Sequence, residues 1–260
     1  MGLFDPAWKG KDYAAAKKSL DKIIRKDDQE KLFCVVKEAP ILEIRESAIR
    51  HLKNQTMLSE IIRNELGKVD PVNRDDVHAD MIYLAVFNSH DQALMEEIIE
   101  KFKSWTGRDY SARITLILEI AIKKIQKESL SDKAVRDLFE IAQNGAPTEL
   151  RWSAFQKVED RVSLFDKESV AKCKREIYCE KLIDKMYGDE AKHVREVGCG
   201  YASRKLPDEM KHFLSVIAED KELLIILREK LFKSQEIHNW NNCWRYHYSM
   251  LEEIQRLLKS

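Results

Sequence analysis

Glycine and proline are scarce, eight and five in 260 residues. No stretch alternates apolar and polar residues in the period of a half-buried strand. Together these absences exclude the turn-rich all-β classes. No apolar run approaches the roughly 18 residues of a transmembrane helix. The start, Met1-Gly2-Leu3-Phe4-Asp5-Pro6, has neither the basic opening nor the long apolar region of a secretory signal, and position 6 lacks the Ser or Thr of a myristoylation motif. The five cysteines (Cys34, Cys173, Cys179, Cys199, Cys243) are odd in number and form no CxxC pair, so a disulfide or zinc framework is not expected. Reduced, mostly buried thiols and a cytoplasmic setting are the corresponding expectation. Net charge is also missing: 45 bases balance 45 acids. That excludes a globally basic nucleic-acid binder while leaving room for a local basic stripe.

Helical periodicity is what the chain does have. Ile44, Ala48 and Leu52 fall at i, i+4, i+8, one stripe of a helix, with a small residue at its centre where another helix can approach. After Asn54-Gln55 a second stripe begins, Leu58, Ile61, Ile62 and Leu66, and Gly67 is placed as a left-handed stop. The unit predicted is helix, tight turn, helix. It returns as Leu150-Arg151-Trp152-Ser153-Ala154 with Val158, which matches Ile44 to Leu52 including Arg-X-Ser-Ala, and an Ala-Pro pair precedes both (Ala39-Pro40 and Ala146-Pro147). A third copy runs Val194-Arg195-Glu196-Val197-Gly198 with Ala202, and degenerate copies fit at Val77, Met81, Ala85 and at Ala16, Leu20, Ile24. A helical pair recurring every roughly 30 to 45 residues marks an α-solenoid.

On these residues the chain resembles the HEAT-like repeat family, whose motif is a β-branched or Leu residue, Arg, two variable positions and Ala. The resemblance spans residues 12–234. It implies that Arg45, Arg151 and Arg195 are structural, each laying its stem across the core between repeats and pairing with a nearby acid. The fold expected is all-α, an α-α superhelix of roughly six to seven stacked antiparallel helix pairs of the HEAT/armadillo type. The organisation expected is an arm at 1–11, in which Trp8 tucks against the first helices, one continuous repeat domain at 12–234, and a C-terminal capping helix at 235–260. Individual helices are expected over Tyr13–Arg25, Gln29–Glu38, Ile41–Lys53, Met57–Leu66, Asp76–Phe87, Asp91–Phe102, Ser111–Gln126, Asp132–Gln143, Glu149–Val158, Asp166–Tyr187, Asp189–Leu206, Asp208–Ala218 and Lys221–Lys233. At the C-terminus Trp240, Trp244, His247, Leu251, Ile254 and Leu258 share a stripe, with Arg245, Tyr246 and Tyr248 on other faces as a possible patch; aromatic residues and Arg dominate binding hot spots.

Chemistry is sparse. No phosphate-cradling Gly-rich loop, HExxH, Ser elbow or nucleophile–base pair stands out, and the seven histidines are isolated along the chain. No cofactor or metal is implied. The C-terminal half is also similar to the helical-repeat DNA alkylation repair glycosylases, in Arg151-Trp152-Ser153-Ala154 and in Val194-Arg195-Glu196 followed by Gly200-Tyr201-Ala202-Ser203-Arg204. That resemblance implies Trp105 and Asp109, then Arg151 and Tyr201, around a damaged base. Asp109 would stabilise the cationic sugar and the aromatic faces would attract an alkylated base. Zero net charge sets a different expectation first: a non-enzymatic scaffold that binds a protein or peptide through the inner helices of its stack. Trp105, Arg151, Trp152, Tyr201, Arg245 and Tyr246 are its candidate contact residues, and nucleic acid is the alternative partner.

Overall fold

The computed structural model describes residues 6–106, 111–145, 147–197, 211, 214–215, 217–237 and 245–260. All regular structure among them is helical, and no strand occurs there. The chain divides into two compact units, Met1–Glu159 and Asp160–Ser260, where the sequence suggests one continuous array from 12 to 234.

The first unit contains α1 (Tyr13–Arg25), α2 (Gln29–Glu38), α3 (Leu42–His51), α4 (Gln55–Leu66), α5 (Val77–Asn88), α6 (Gln92–Phe102), α7 (Ala112–Lys124), α8 (Asp132–Asn144) and α9 (Thr148–Val158). Seven of these nine begin at a side-chain cap: Asp12, Asp28, Asn54, Asp76, Asp91, Ser111 and Ser131 each accept a main-chain N–H of the first turn. Such a cap satisfies a donor that the helix itself cannot. The two exceptions, α3 and α9, are the two helices that follow Ala-Pro.

Packing follows a simple rule. Odd-numbered helices stack in one row (α1, α3, α5, α7, α9), and α4, α6 and α8 stack in another. Between rows, the closest packing joins each even-numbered helix to the odd-numbered helix after it: α2 to α3, α4 to α5, α6 to α7, α8 to α9. The hairpin read from the sequence, α3 with α4, is therefore not the tightest one. Arg45 and Arg151 fasten two of these hairpins. Each is the fourth residue of its helix and reaches back nine positions: Arg45 Nε donates to Val36 O at 2.7 Å and Arg151 Nε to Ala142 O at 2.8 Å. Those carbonyls sit at the ends of α2 and α8, so each guanidinium staples an Ala-Pro hairpin shut. The Nε acceptor is thus a main-chain carbonyl rather than the acid that the repeat resemblance implied.

Trp8 is buried in a short 3-10 turn, Ala7–Lys9, that packs on α1 and α2. Gly67 ends α4, but with right-handed backbone (φ −77°), because the chain turns on with Lys68 N donating to Glu65 O. Gly145 ends α8, and there a Cβ would lie 2.5 Å from Ile141 O, so only glycine fits.

The second unit contains α10 (Lys167–Val197), α11 (Lys221–Ile237) and α12 (Arg245–Lys259), with α10 packed on α11 and α11 on α12. Its core gathers Cys179, Ile183, Leu214, Ile217, Leu224, Leu227, Leu231, Met250 and Ile254, with Leu251 and Leu258 packed at the edge. Lys221 at the start of α11 donates to Leu257 O at the end of α12 (3.2 Å). α10 continues unbroken through Gly188, so Val194–Val197 closes a long helix instead of opening a new repeat. An interior glycine costs a helix only about 1 kcal/mol, which the rest of α10 outweighs. Gly198, Ala202, Trp240 and Trp244 lie outside the described residues.

Candidate functional site

Three sets of side chains lock the first unit into register, and they decide which surface is left over. The first is the Arg45/Arg151 pair. The second is a set of glutamines, each the first residue of an even-numbered helix directly after its cap. Gln29 Oε1 accepts from Lys53 N (2.6 Å), and its Nε2 donates to His51 O (3.4 Å). Gln55 Oε1 accepts from His90 N (2.7 Å), and its Nε2 donates to Asn88 O (3.2 Å). Gln92 Oε1 accepts from Gln126 N (2.9 Å), while its buried Nε2 has no hydrogen-bond partner. Each rung reaches the end of the next odd-numbered helix along the chain, and where both ends are made, the carbonyl lies two residues before the N–H.

The third set caps helix ends along the odd row. Asn88 Nδ2 donates to Ile49 O (3.0 Å), Lys124 Nζ to Ser89 O (2.8 Å) and Lys157 Nζ to Ile125 O (2.7 Å). A cation at a helix C-terminus is favourable, even though burial pushes the Lys124 and Lys157 ammonium groups below the ordinary lysine range.

The even-numbered helices pair their charges with one another. Lys37 meets Glu60 (3.0 Å), Arg63 meets Glu97 (2.7 Å), Lys133 meets Glu100, and Lys103 meets Asp137 and Glu140 (2.7 Å each). The hydrogen bonds to Asp137 and Glu140 raise the Lys103 ammonium well above its ordinary value.

On the odd row, α5 and α7 keep apolar side chains at the surface instead. On α5, Tyr83 is half-buried beside α7, and Phe87, one turn on, is 63% exposed. On α7, Arg113, Leu116, Ile120 and Lys124 form one stripe. The Arg113 guanidinium lies 4.5 Å from the Tyr83 ring centre and binds Asp80 (2.6 Å), and Lys124 Nζ lies 5.8 Å from the Phe87 ring centre. Leu116, 39% exposed, lies on the stripe between those two cations. The next helix in the row, α9, carries half-buried Trp152 stacked on Phe155.

The residues singled out from the sequence are dispersed. Trp105 is half-buried just after α6, against Phe102 (5.4 Å between ring centres) and under Lys101 Nζ (5.1 Å). Arg151 is 6% exposed and bound at the end of α8, a packing position. Asp109 and Tyr201 lie outside the described residues, as do the side chains of Arg245 and Tyr246 at the start of α12. Sequence reasoning missed the glutamine rungs, although a signal existed: Asp28-Gln29, Asn54-Gln55 and Asp91-Gln92 each pair a cap with a glutamine before an apolar run.

Comparison of the chain with family models, with curated proteins and with solved structures finds no match. Among the described residues no group of three His, Cys, Asp or Glu side chains could hold a metal ion, and no helix is long and apolar enough to cross a membrane.

Proposed function

We propose that this chain is a HEAT-like repeat scaffold without catalytic activity, whose stacked helix pairs form a superhelix and whose odd-numbered row binds a protein or peptide. The observation that carries the reading is the contrast between the rows. Even-row charges are bound in pairs from helix to helix, while Phe87 and Leu116 remain outward on α5 and α7 between Arg113 and Lys124. Exposed aromatic and aliphatic side chains bracketed by cations are what a hot spot for a peptide partner requires.

The test is photo-crosslinking in extract of the source cells, with a benzoylphenylalanine at Leu116 or, as control, at exposed Arg136 on α8. A discrete protein adduct from position 116 that is absent from position 136 is the expected result. Equal adducts from both positions, or none from 116, would contradict the proposal. Salt-sensitive binding of a duplex carrying an alkylated base, with release of that base, would instead establish the glycosylase alternative.

A further inference from the structure

The chain as a whole is neutral, but α1 is not. From Lys9 to Lys26 there are seven bases, Lys9, Lys11, Lys17, Lys18, Lys22, Arg25 and Lys26, against two acids, Asp12 and Asp21. Both acids are engaged, Asp12 as the cap of α1 and Asp21 with Lys17 (3.8 Å). The next two, Asp27 and Asp28, are held by Lys53 and Lys31.

Helical geometry then sorts the bases. Ala16, Leu20 and Ile23 are buried and define the inner pole of α1. Lys18, Lys22 and Arg25 fall at i, i+4, i+7 on the opposite pole. All three are exposed, and none has an ion pair among the described residues. An exposed helix face needs polar residues. Mixed charge would serve, as it does on α2, α4, α6 and α8, whereas like charges at i, i+4 destabilise a helix. The single sign is thus not explained by solubility alone.

We infer that the outer face of α1 is a docking surface for a short acidic peptide segment, its carboxylates set against Lys18, Lys22 and Arg25. Length argues for a short occupant. Seven residues of helix span about 10 Å, which three or four residues of extended chain cover. An extended polyanion such as a nucleic acid would run off this face onto the remainder of the chain, which must be net acidic if the total is zero. At physiological salt, screening confines the attraction of the patch to about 8 Å. This surface is separate from the outward face of α5 and α7, and the inference stands whether or not that face binds a partner.

The experiment is fluorescence anisotropy of the full chain with a labelled peptide of four consecutive glutamates flanked by Gly-Ser, in low salt. Controls are the same peptide with glutamines and a labelled single-stranded oligonucleotide. Two variants carry the same change in charge: Lys18→Glu/Lys22→Glu/Arg25→Glu on the patch, and Arg50→Glu/Arg74→Glu/Arg136→Glu at dispersed exposed sites. We expect the glutamate peptide to bind, the glutamine peptide not to, and binding to weaken at least about tenfold in the patch variant but less than about threefold in the dispersed one, each variant keeping the wild-type helical circular dichroism. Equal losses in both variants, equal binding of the glutamine peptide, absence of binding in low salt, or tighter binding of the oligonucleotide would each overturn the inference.

Discussion

The two rows of the first unit are built from the same kind of helix and end in opposite conditions. Even-numbered helices bury one stripe and meet their neighbours through paired surface charges, Lys37 with Glu60, Arg63 with Glu97 and Lys133 with Glu100. Odd-numbered helices meet theirs through side chains bound to main chain, Asn88, Lys124 and Lys157 on the ends of α3, α5 and α7. The difference teaches where rigidity comes from. Exposed ion pairs contribute little each and weaken with salt. A half-buried side chain on a helix-end carbonyl serves a group that lacks its intrahelical partner, so its removal costs more. The odd row is held from within, and the outward surface of α5 and α7 is left free for apolar residues.

Breaking that comparison starts at its strongest point. Arg151→Ala strips a buried donor from Ala142 O and removes the packed stem of the guanidinium, so we expect a loss of about 3 kcal/mol in urea unfolding of the chain. Arg45→Ala, only half-buried, should cost about half of that. The glutamines sharpen the same contrast. Gln55→Ala loses both ends of its bridge and should cost about 1–2 kcal/mol, while Gln92→Ala loses one end and should cost about 1 kcal/mol or less.

Glu65 tests a contact between the rows, from α4 to α5. Burial disfavours its charged form, but hydrogen bonds with His78 and Lys68 outweigh that and hold its carboxyl below the ordinary glutamate range. A depressed carboxyl stabilises the fold above its unfolded value, about 4.3, and that contribution disappears as pH falls through the folded value. Glu65→Gln should therefore melt below the wild type at pH 7, with the gap narrowing as pH falls below about 4.3, which a pH series of melting curves checks. The smallest effects belong to exposed positions. Arg63→Ala should cost below about 1 kcal/mol and nothing measurable in high salt, and Phe87→Ser should leave stability within about 0.5 kcal/mol.

Much of the secondary structure could be read from the sequence, because apolar stripes and caps are local signals. Tyr13–Arg25 and Gln29–Glu38 emerge with the bounds expected from the sequence, and the all-α class follows from many such segments. Helix continuation through Gly188 was not legible, since a breaker residue states a cost and not the sum of favourable terms around it. The hairpin choice, α2 with α3 over α3 with α4, is a tertiary preference, and the bond from Arg45 that accompanies it spans nine residues, a spacing with no meaning until two helices lie side by side. The glutamine rungs were hidden for the same reason: the repeat of a cap and a glutamine is local, but its partners lie 22 to 35 residues away. Of the candidate contact residues, Trp105 and Trp152 were visible as conspicuous aromatics, whereas Phe87 and Leu116 look like core residues in the sequence and become surface only because of how α5 and α7 pack.

The most direct test of a stack locked by side chains on main chain is amide hydrogen exchange at Lys53, His90 and Gln126. These three N–H groups lie just beyond the ends of α3, α5 and α7 and are bound by Gln29, Gln55 and Gln92. Slow exchange at all three, with protection lost only at His90 in Gln55→Ala and only at Gln126 in Gln92→Ala, is the predicted result. Exchange of the three at the rate of open loops in the wild-type chain would contradict it.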